Sequence, residues 1–264
     1  MSQSIPLWAG DASGPTLTPQ IAKAATSHVA VMVCPGGGYG GLADHEGPVI
    51  ADAFNAAGFH ASVLRYRVAP HQHPSMIHDA LRGMRMMRAN AATYFPDHTP
   101  THFAVLGFSA GGHLVSTVAT GYDRFPCDAD DLSVTVNARP DAVVLCYAVV
   151  DFEGEHTHEG SRRNLLGARA SDPAWRAQLN AVNHVTPDSP PAFLWHTVAD
   201  QAVPVENSIL YAQACRRNKV PFAMHIFPEG QHGVGLATDM PDVAEWFKHC
   251  CLFLNHHVPR TEVS

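Results

Sequence analysis

Apolar residues fall along the chain in two patterns. Six short stretches, 28–34, 60–66, 101–107, 141–148, 191–198 and 222–227, are nearly continuous apolar runs that end in glycine, proline or polar residues. The runs 28–34, 101–107 and 141–148 predict strands buried on both faces of a parallel sheet, and the other three predict further strands beside them. Between them, apolar positions recur at helical spacing, as with Val49, Ile50, Ala53, Phe54 and Ala57 in 46–57, which Gly58 stops, and Ile77, Leu81, Met84 and Met87 in 75–91. Further helices are predicted over 112–120, 205–218 and 241–255. Strands alternating with helices predict an α/β fold with a doubly wound, mostly parallel sheet and helices on both faces. Residues 1–27, rich in Pro, Gly, Ser and Thr, predict irregular edge structure with one short strand near Leu17. The polar stretch 151–190 offers no strand of its own, and that length between strands predicts a small inserted cap or lid.

Composition narrows this picture. The 264 residues show no composition shift, so a single domain over 1–264 is expected. A hydrophobic share of 46% against 16% charged describes a soluble globular protein with a large core. The formal charge of −7, without a Lys/Arg cluster, argues against a nucleic-acid partner. The 18 histidines make the real charge sensitive to mildly acidic pH. Six cysteines lack any C-x-x-C or metal-site spacing, and Cys34 and Cys146 fall in apolar runs as buried thiols, which suits a reducing compartment. No basic-then-apolar leader and no run of membrane-span length is visible, so a cytoplasmic protein without membrane attachment is expected.

The candidate chemistry begins at the third run. Phe103-Ala-Val-Leu-Gly-Phe-Ser-Ala-Gly-Gly-His-Leu114 drives a strand into Gly107-Phe-Ser-Ala-Gly111 and leaves it as a helix of small residues. A strand, a sharp turn and a helix are the context in which a G-x-S-x-G serine is strained and exposed at a helix N-terminus. Ser109 is therefore the candidate nucleophile. In open parallel sheets ligands gather beyond the carboxyl ends of the strands, so its partners are sought there.

Three other strand ends carry matching groups. After the first run, Pro35-Gly36-Gly37-Gly38-Tyr39 leaves backbone N–H groups uncovered; it lacks the Lys-Ser/Thr of a phosphate loop and the context of a dinucleotide fingerprint. An oxyanion hole from this loop, with the Ala110 N–H as second arm, is the favoured reading. Asp200 directly follows the 191–198 strand and could orient a histidine, although an acid capping the next helix is also reasonable there. His232, between Gly230 and Gly233, is the one histidine after the last strand and before the closing helix. It would serve as general base toward Ser109, with Asp200 fixing its tautomer.

Other histidines fit less well. His113 lies too close to Ser109 in sequence to act as its relay and is expected to pack or cap; with Tyr39 it is also a candidate lining residue of a substrate pocket. The His71/His73 and His156/His158/Glu159 groups lack ligand spacing and a third partner, so neither a metal nor any other cofactor is expected. Asp44, His45 and Glu46 could touch substrate or equally start a helix.

Four segments together resemble a known family. Pro-Gly-Gly-Gly-Tyr (35–39), Gly-Phe-Ser-Ala-Gly-Gly-His-Leu (107–114), Asp-Gln-Ala-Val-Pro (200–204) and Gly-Gln-His-Gly (230–233) are similar to α/β-hydrolase esterases of the acetyl esterase and acetylxylan esterase type. This group, often called bifunctional feruloyl and acetyl esterase-like, is related to the hormone-sensitive-lipase esterases. Ile5-Pro-Leu-Trp-Ala-Gly-Asp-Ala and Leu64-Arg-Tyr-Arg-Val extend the likeness over most of the chain. The resemblance implies Ser109, Asp200 and His232 as a catalytic triad and Gly37, Gly38 and Ala110 as oxyanion donors. It also implies a small ester substrate such as an acetylated sugar, and a homo-oligomer is compatible with it. Pro35 departs from the His-Gly-Gly-Gly of the lipase relatives, and the short N-terminal region suggests reduced first strands. A serine peptidase or amide hydrolase on the same fold ranks second, though large-domain peptidases need more chain than this. A non-catalytic binding protein ranks third.

Overall fold

The computed structural model describes residues 3–11, 13–127 and 129–258. Eight strands form one sheet in the order β1-β2-β4-β3-β5-β6-β7-β8. They are β1 (Ile5–Pro6), β2 (Thr16–Gln20), β3 (Val29–Cys34), β4 (His60–Arg65), β5 (His102–Phe108), β6 (Ala142–Cys146), β7 (Ala192–Thr197) and β8 (Phe222–Phe227). From β4 to β8 every neighbouring pair is parallel; at one edge β2 pairs antiparallel with both β4 and β1. Helices lie on both faces, as an α/β-hydrolase sheet requires.

Residue alternation within the strands explains the two layers. Val29, Val31 and Val33 of β3 join one core with Ile50 and Phe54 of α1 (Pro48–Ala56) and Trp246, Cys250 and Phe253 of α8 (Pro241–His257). Ala30, Met32 and Cys34 turn to the opposite core. There they meet α2 (Ser75–Ala89), α3 (Ala91–Tyr94), α4 (Ser109–Gly121) and α7 (Glu206–Asn218). Because both faces are covered along β3 to β7, those runs carry no polar alternation, whereas the edge strand β8 is only half-buried, with Met224 and Ile226 exposed.

Four details differ from the sequence expectations. The N-terminal edge has two strands, because the two residues of β1 pair with Leu17 and Thr16 of β2. The helix over 75–91 breaks at Asn90, which completes the last helical bond to Met86 O at 3.0 Å, covers the same carbonyl with its side-chain amide, and then leaves helical geometry at φ −114°, ψ 21°. The helix expected at residue 112 starts at Ser109 itself, with no linker after β5. The helix expected from Glu46 begins at Pro48, after a 3₁₀ turn over Asp44–Glu46.

Between β6 and β7 lie α5 (Glu159–Leu166), α6 (Pro173–Leu179) and two 3₁₀ turns, with no strand among the described residues. His158 caps α5, its Nδ1 accepting the Ser161 N–H at 3.2 Å, and Asp172 caps α6. Among the described residues no helix is long and apolar enough to cross a membrane.

Candidate active site

The turn from β5 into α4 is as tight as the glycine spacing demands. Ser109 adopts φ +52°, a left-handed conformation that non-glycine residues take only where the surroundings enforce it. The enforcement is visible at Gly111, where a Cβ would run into the carbonyl oxygens of Cys34 and Pro35. Strand β3 and the first turn of α4 therefore approach more closely than any larger residue would permit, and this seats Ser109 beside the glycine loop.

Ser109, His232 and Asp200 meet in a line. His232 Nε2 is 2.8 Å from Ser109 Oγ, and His232 Nδ1 is 2.6 Å from Asp200 Oδ2. A carboxylate only accepts, so Nδ1 carries the proton and Nε2 presents its lone pair to the serine hydroxyl. Asp200 is 5% exposed, and its other oxygen accepts the N–H groups of Ala202 and Val203, both at 2.9 Å. The turn after β7 is thus built around the carboxylate, whereas α7, capped by Val205 without a side-chain bond, does not use it. Burial alone would push the Asp200 carboxyl upward. The adjoining His196 and His232 and the Val203 amide outweigh that and hold it well below the usual aspartate range. His196 Nε2 stands 3.4 Å from Asp200 Oδ2, while its hydrogen bond goes to Val203 O at 2.9 Å.

The glycine loop follows β3, next to β5. Gly37 takes φ +120°, and its carbonyl accepts the N–H groups of Gly40 and Gly41, closing a tight turn. Among the described residues, neither the Gly37 N–H nor the Gly38 N–H donates to a protein acceptor. The Ala110 N–H lies in the first turn of α4, where a helix has no internal acceptor to offer. From the 151–190 segment, Asn164 donates to Gly38 O at 2.9 Å. His158 Cε1 and Ser161 Oγ are the nearest atoms to the open side of Gly38. Capping by Nδ1 leaves the proton of His158 on Nε2, and burial, then the nearby His232, lowers its pKa.

Two expected pocket residues lie elsewhere. Tyr39 and His113 are each 1% exposed, so neither side chain reaches an open cleft. Instead the Tyr39 hydroxyl bonds His113 Nδ1 at 2.8 Å, and His113 Nε2 bonds Leu179 O at 2.8 Å. The His113 ring stacks on Phe152 at 4.0 Å. His113 thus takes the packing role of its two expected ones, because α4 turns it toward the 151–190 segment, and Tyr39 packs with it instead of lining an open pocket. Burial drives His113 down to about 4.

In the sequence Glu46 carries no signal beyond a general substrate or helix-start role. It is 2% exposed and bonds both Gly36 and Tyr147. Its one sequence signal is an acid set between the glycine loop and an apolar helix. Among the described residues no cluster of three His, Cys, Asp or Glu side chains could hold a metal ion, and all six cysteines are free thiols.

Known proteins place these features in a group. The sequence matches the BD-FAE family over residues 17–214. An Endo-1,4-beta-xylanase B of Butyrivibrio fibrisolvens is 38% identical over 215 residues, 79% of this chain and 33% of that protein. An acetylxylan esterase of Xylanibacter ruminicola is 31% identical over 224 residues, 83% of this chain and 42% of the relative. The chain thus spans less than half the length of these curated relatives. Among solved structures, an acetyl ester-xyloside bifunctional hydrolase from Caldicellulosiruptor lactoaceticus superposes with a TM-score of 0.86 at 41% identity. That match covers 96% of this chain and 95% of the other. A family match over most of the chain and near-complete overlap with a solved relative agree with the sheet order described above: the chain has the α/β-hydrolase fold and belongs to the BD-FAE family.

Proposed function

We propose that this protein is a serine carboxylic-ester hydrolase that removes short acyl groups, acetyl foremost, from small acylated saccharides. The observation that carries the reading is the hydroxyl–imidazole–carboxylate line of 2.8 and 2.6 Å at the end of a strained elbow. Ser109 Oγ attacks the ester carbonyl while His232 Nε2 takes its proton. Asp200 keeps the other ring proton on Nδ1 and stabilises the imidazolium that forms. The carbonyl oxygen becomes an oxyanion held by the N–H groups of Gly37, Gly38 and Ala110. One such donor is worth about 3–4 kcal/mol in the transition state. His232 then gives its proton to the leaving alcohol, and an acyl-serine remains. Water, activated by the same histidine, repeats the cycle and releases the acid.

The 151–190 segment acts as the cap in this reading, since Asn164, Ser161 and His158 stand at the glycine loop. The names of the relatives, an acetylxylan esterase and an acetyl ester-xyloside hydrolase, support acetylated xylo-saccharides as the substrate class. The test is Ser109→Ala. It should fold with an unchanged melting temperature and lose about a millionfold in kcat on p-nitrophenyl acetate. Retained turnover would remove Ser109 as nucleophile. A panel of acetylated xylo-oligosaccharides, longer acyl esters and aminoacyl amides then ranks the substrates. A preference for amides would displace the ester reading.

A further inference from the structure

Glu46 is a buried carboxylate outside the hydroxyl–imidazole–carboxylate line. Its Oε2 accepts the Gly36 N–H at 2.8 Å, and its Oε1 accepts the Tyr147 hydroxyl at 2.6 Å. The Tyr147 oxygen in turn accepts the Gly235 N–H at 3.0 Å. With the hydroxyl proton given to the carboxylate and a lone pair given to the amide, the direction of every bond is fixed. Burial first, and then the charge of Glu46, raises the Tyr147 phenol well above its ordinary value, so it stays a donor.

These three bonds join two loops that share no strand pairing. Gly36 opens the glycine loop, and a Cβ on it would fall 2.9 Å from the Cβ of Ser109. Gly235 closes the 230–235 loop that carries His232, and the Tyr147 ring meets the His232 ring edge-on with centroids 5.0 Å apart. Tyr147 cannot drift, because its own N–H donates to Trp195 O at 2.8 Å and its ring packs between Phe108 and Trp195. Its φ of +35° is a conformation that a tyrosine keeps only when its surroundings hold it. A second tie runs the same way: His45, next in the chain to Glu46, reaches Gly233 O at 2.9 Å.

A buried carboxylate is costly to desolvate and poor as a stabilising device. Two apolar side chains of the same volume would fill this site at less cost. Such a network gains in geometry, because it holds donors at fixed positions. We propose that Glu46 and Tyr147 are positioning residues that lock the oxyanion loop to the His232 loop, so that the two halves of the machinery approach the ester in fixed register. The inference rests on the esterase reading above. Neither side chain touches the reacting atoms; both act through Gly36, Gly235 and the His232 ring.

Polarity makes the network testable without changing its shape. In Glu46→Gln one oxygen becomes an NH2, so either Gly36 loses its acceptor or the Tyr147 hydroxyl is left facing a donor. Tyr147→Phe keeps the ring against His232 and deletes both hydroxyl bonds. Each variant should lower kcat on p-nitrophenyl acetate about 10- to 100-fold, the scale expected for a small misplacement of reacting groups. KM should stay within about twofold, the signature of an interaction that serves the transition state. The double variant should be no worse than Tyr147→Phe alone, since both act on one unit. Trp8→Phe removes an indole bond of 2.7 Å to Asp79 at the N-terminal edge of the sheet and serves as the control for a general loss of packing. It should keep full kcat.

Full kcat in Tyr147→Phe overturns the proposal, as does a raised KM at unchanged kcat, or additivity in the double variant. Tyr147→Phe decides the matter even if Glu46→Gln does not fold. Ser109→Ala separates the two ideas: an active Ser109→Ala removes the esterase reading, whereas an inactive Ser109→Ala beside a fully active Tyr147→Phe removes the locking role alone.

Discussion

Two histidines near the elbow have almost the same wiring and opposite surroundings. His232 and His113 each bond a side-chain hydroxyl at 2.8 Å, on Ser109 and Tyr39, and each gives its other ring nitrogen to an oxygen. For His232 that oxygen is the Asp200 carboxylate, and its own side chain is 23% exposed. For His113 it is the neutral carbonyl of Leu179, in a site closed to water. A carboxylate stabilises an imidazolium, so the first arrangement can accept a proton during a reaction. A neutral carbonyl in a dry site cannot do this, so the second holds a neutral ring as a packing piece. A hydroxyl beside an imidazole is therefore insufficient to mark a base. The charge of the third group and access to solvent decide.

That contrast can be broken first at Asp200. Replacing it by Asn puts an NH2 donor against Nδ1 and forces the His232 proton onto Nε2, facing Ser109. Steady-state assays of Asp200→Asn should show a loss of about 10⁴ in kcat with the fold intact. A loss below tenfold would mean that the carboxylate is dispensable, and the difference between the two histidines would lie in exposure alone.

The second test is on acid stability. His113 is held down to about 4 and His73 down to about 3, both chiefly by burial. Their folded values lie below the ordinary histidine value, so between pH 6.5 and 4 the unfolded chain binds protons that the folded chain refuses. Stability therefore falls as pH falls through that window. The loss at pH 5 is roughly 2 kcal/mol for each ring. Urea unfolding at pH 7 and pH 5 should show His113→Gln with a shallower pH slope than the parent. An unchanged slope would place the proton uptake elsewhere.

The smallest effect is expected at Tyr39. Tyr39→Phe leaves His113 Nδ1 without its donor in a buried site, at a cost of about 1–3 kcal/mol of stability. Its kcat should remain close to that of the parent, unlike the Asp200 variant. A drop in kcat with unchanged stability would move this pair from packing into the reaction.

Much of this was legible in the sequence. The central parallel strands appear as apolar runs because the sheet is covered on both faces there, and the strand ends carrying Gly37, Ser109 and Asp200 follow from them; His232 follows from the run of the half-buried edge strand β8. What stayed hidden depends on side-chain direction. The local spacing leaves His113 between packing and a pocket lining, and it does not say that the 151–190 segment delivers Leu179 O to meet it. Likewise Glu46 looks like any acid at a helix start. Its role depends on Tyr147, which stands far along the chain and arrives only when β6 pairs between β5 and β7. The two-residue β1 leaves no mark in the pattern, because so short an edge strand has no period to read.

The single bond from Asn164 to the carbonyl of Gly38 has a consequence for how such proteins can be recombined. It ties the segment between β6 and β7 to the backbone of the glycine loop, and the segment is no detachable accessory. A graft that exchanges this segment between relatives to alter substrate preference will also reset the loop beneath it. A successful exchange must carry an amide donor at the position of Asn164, or move both pieces together as one unit of inheritance.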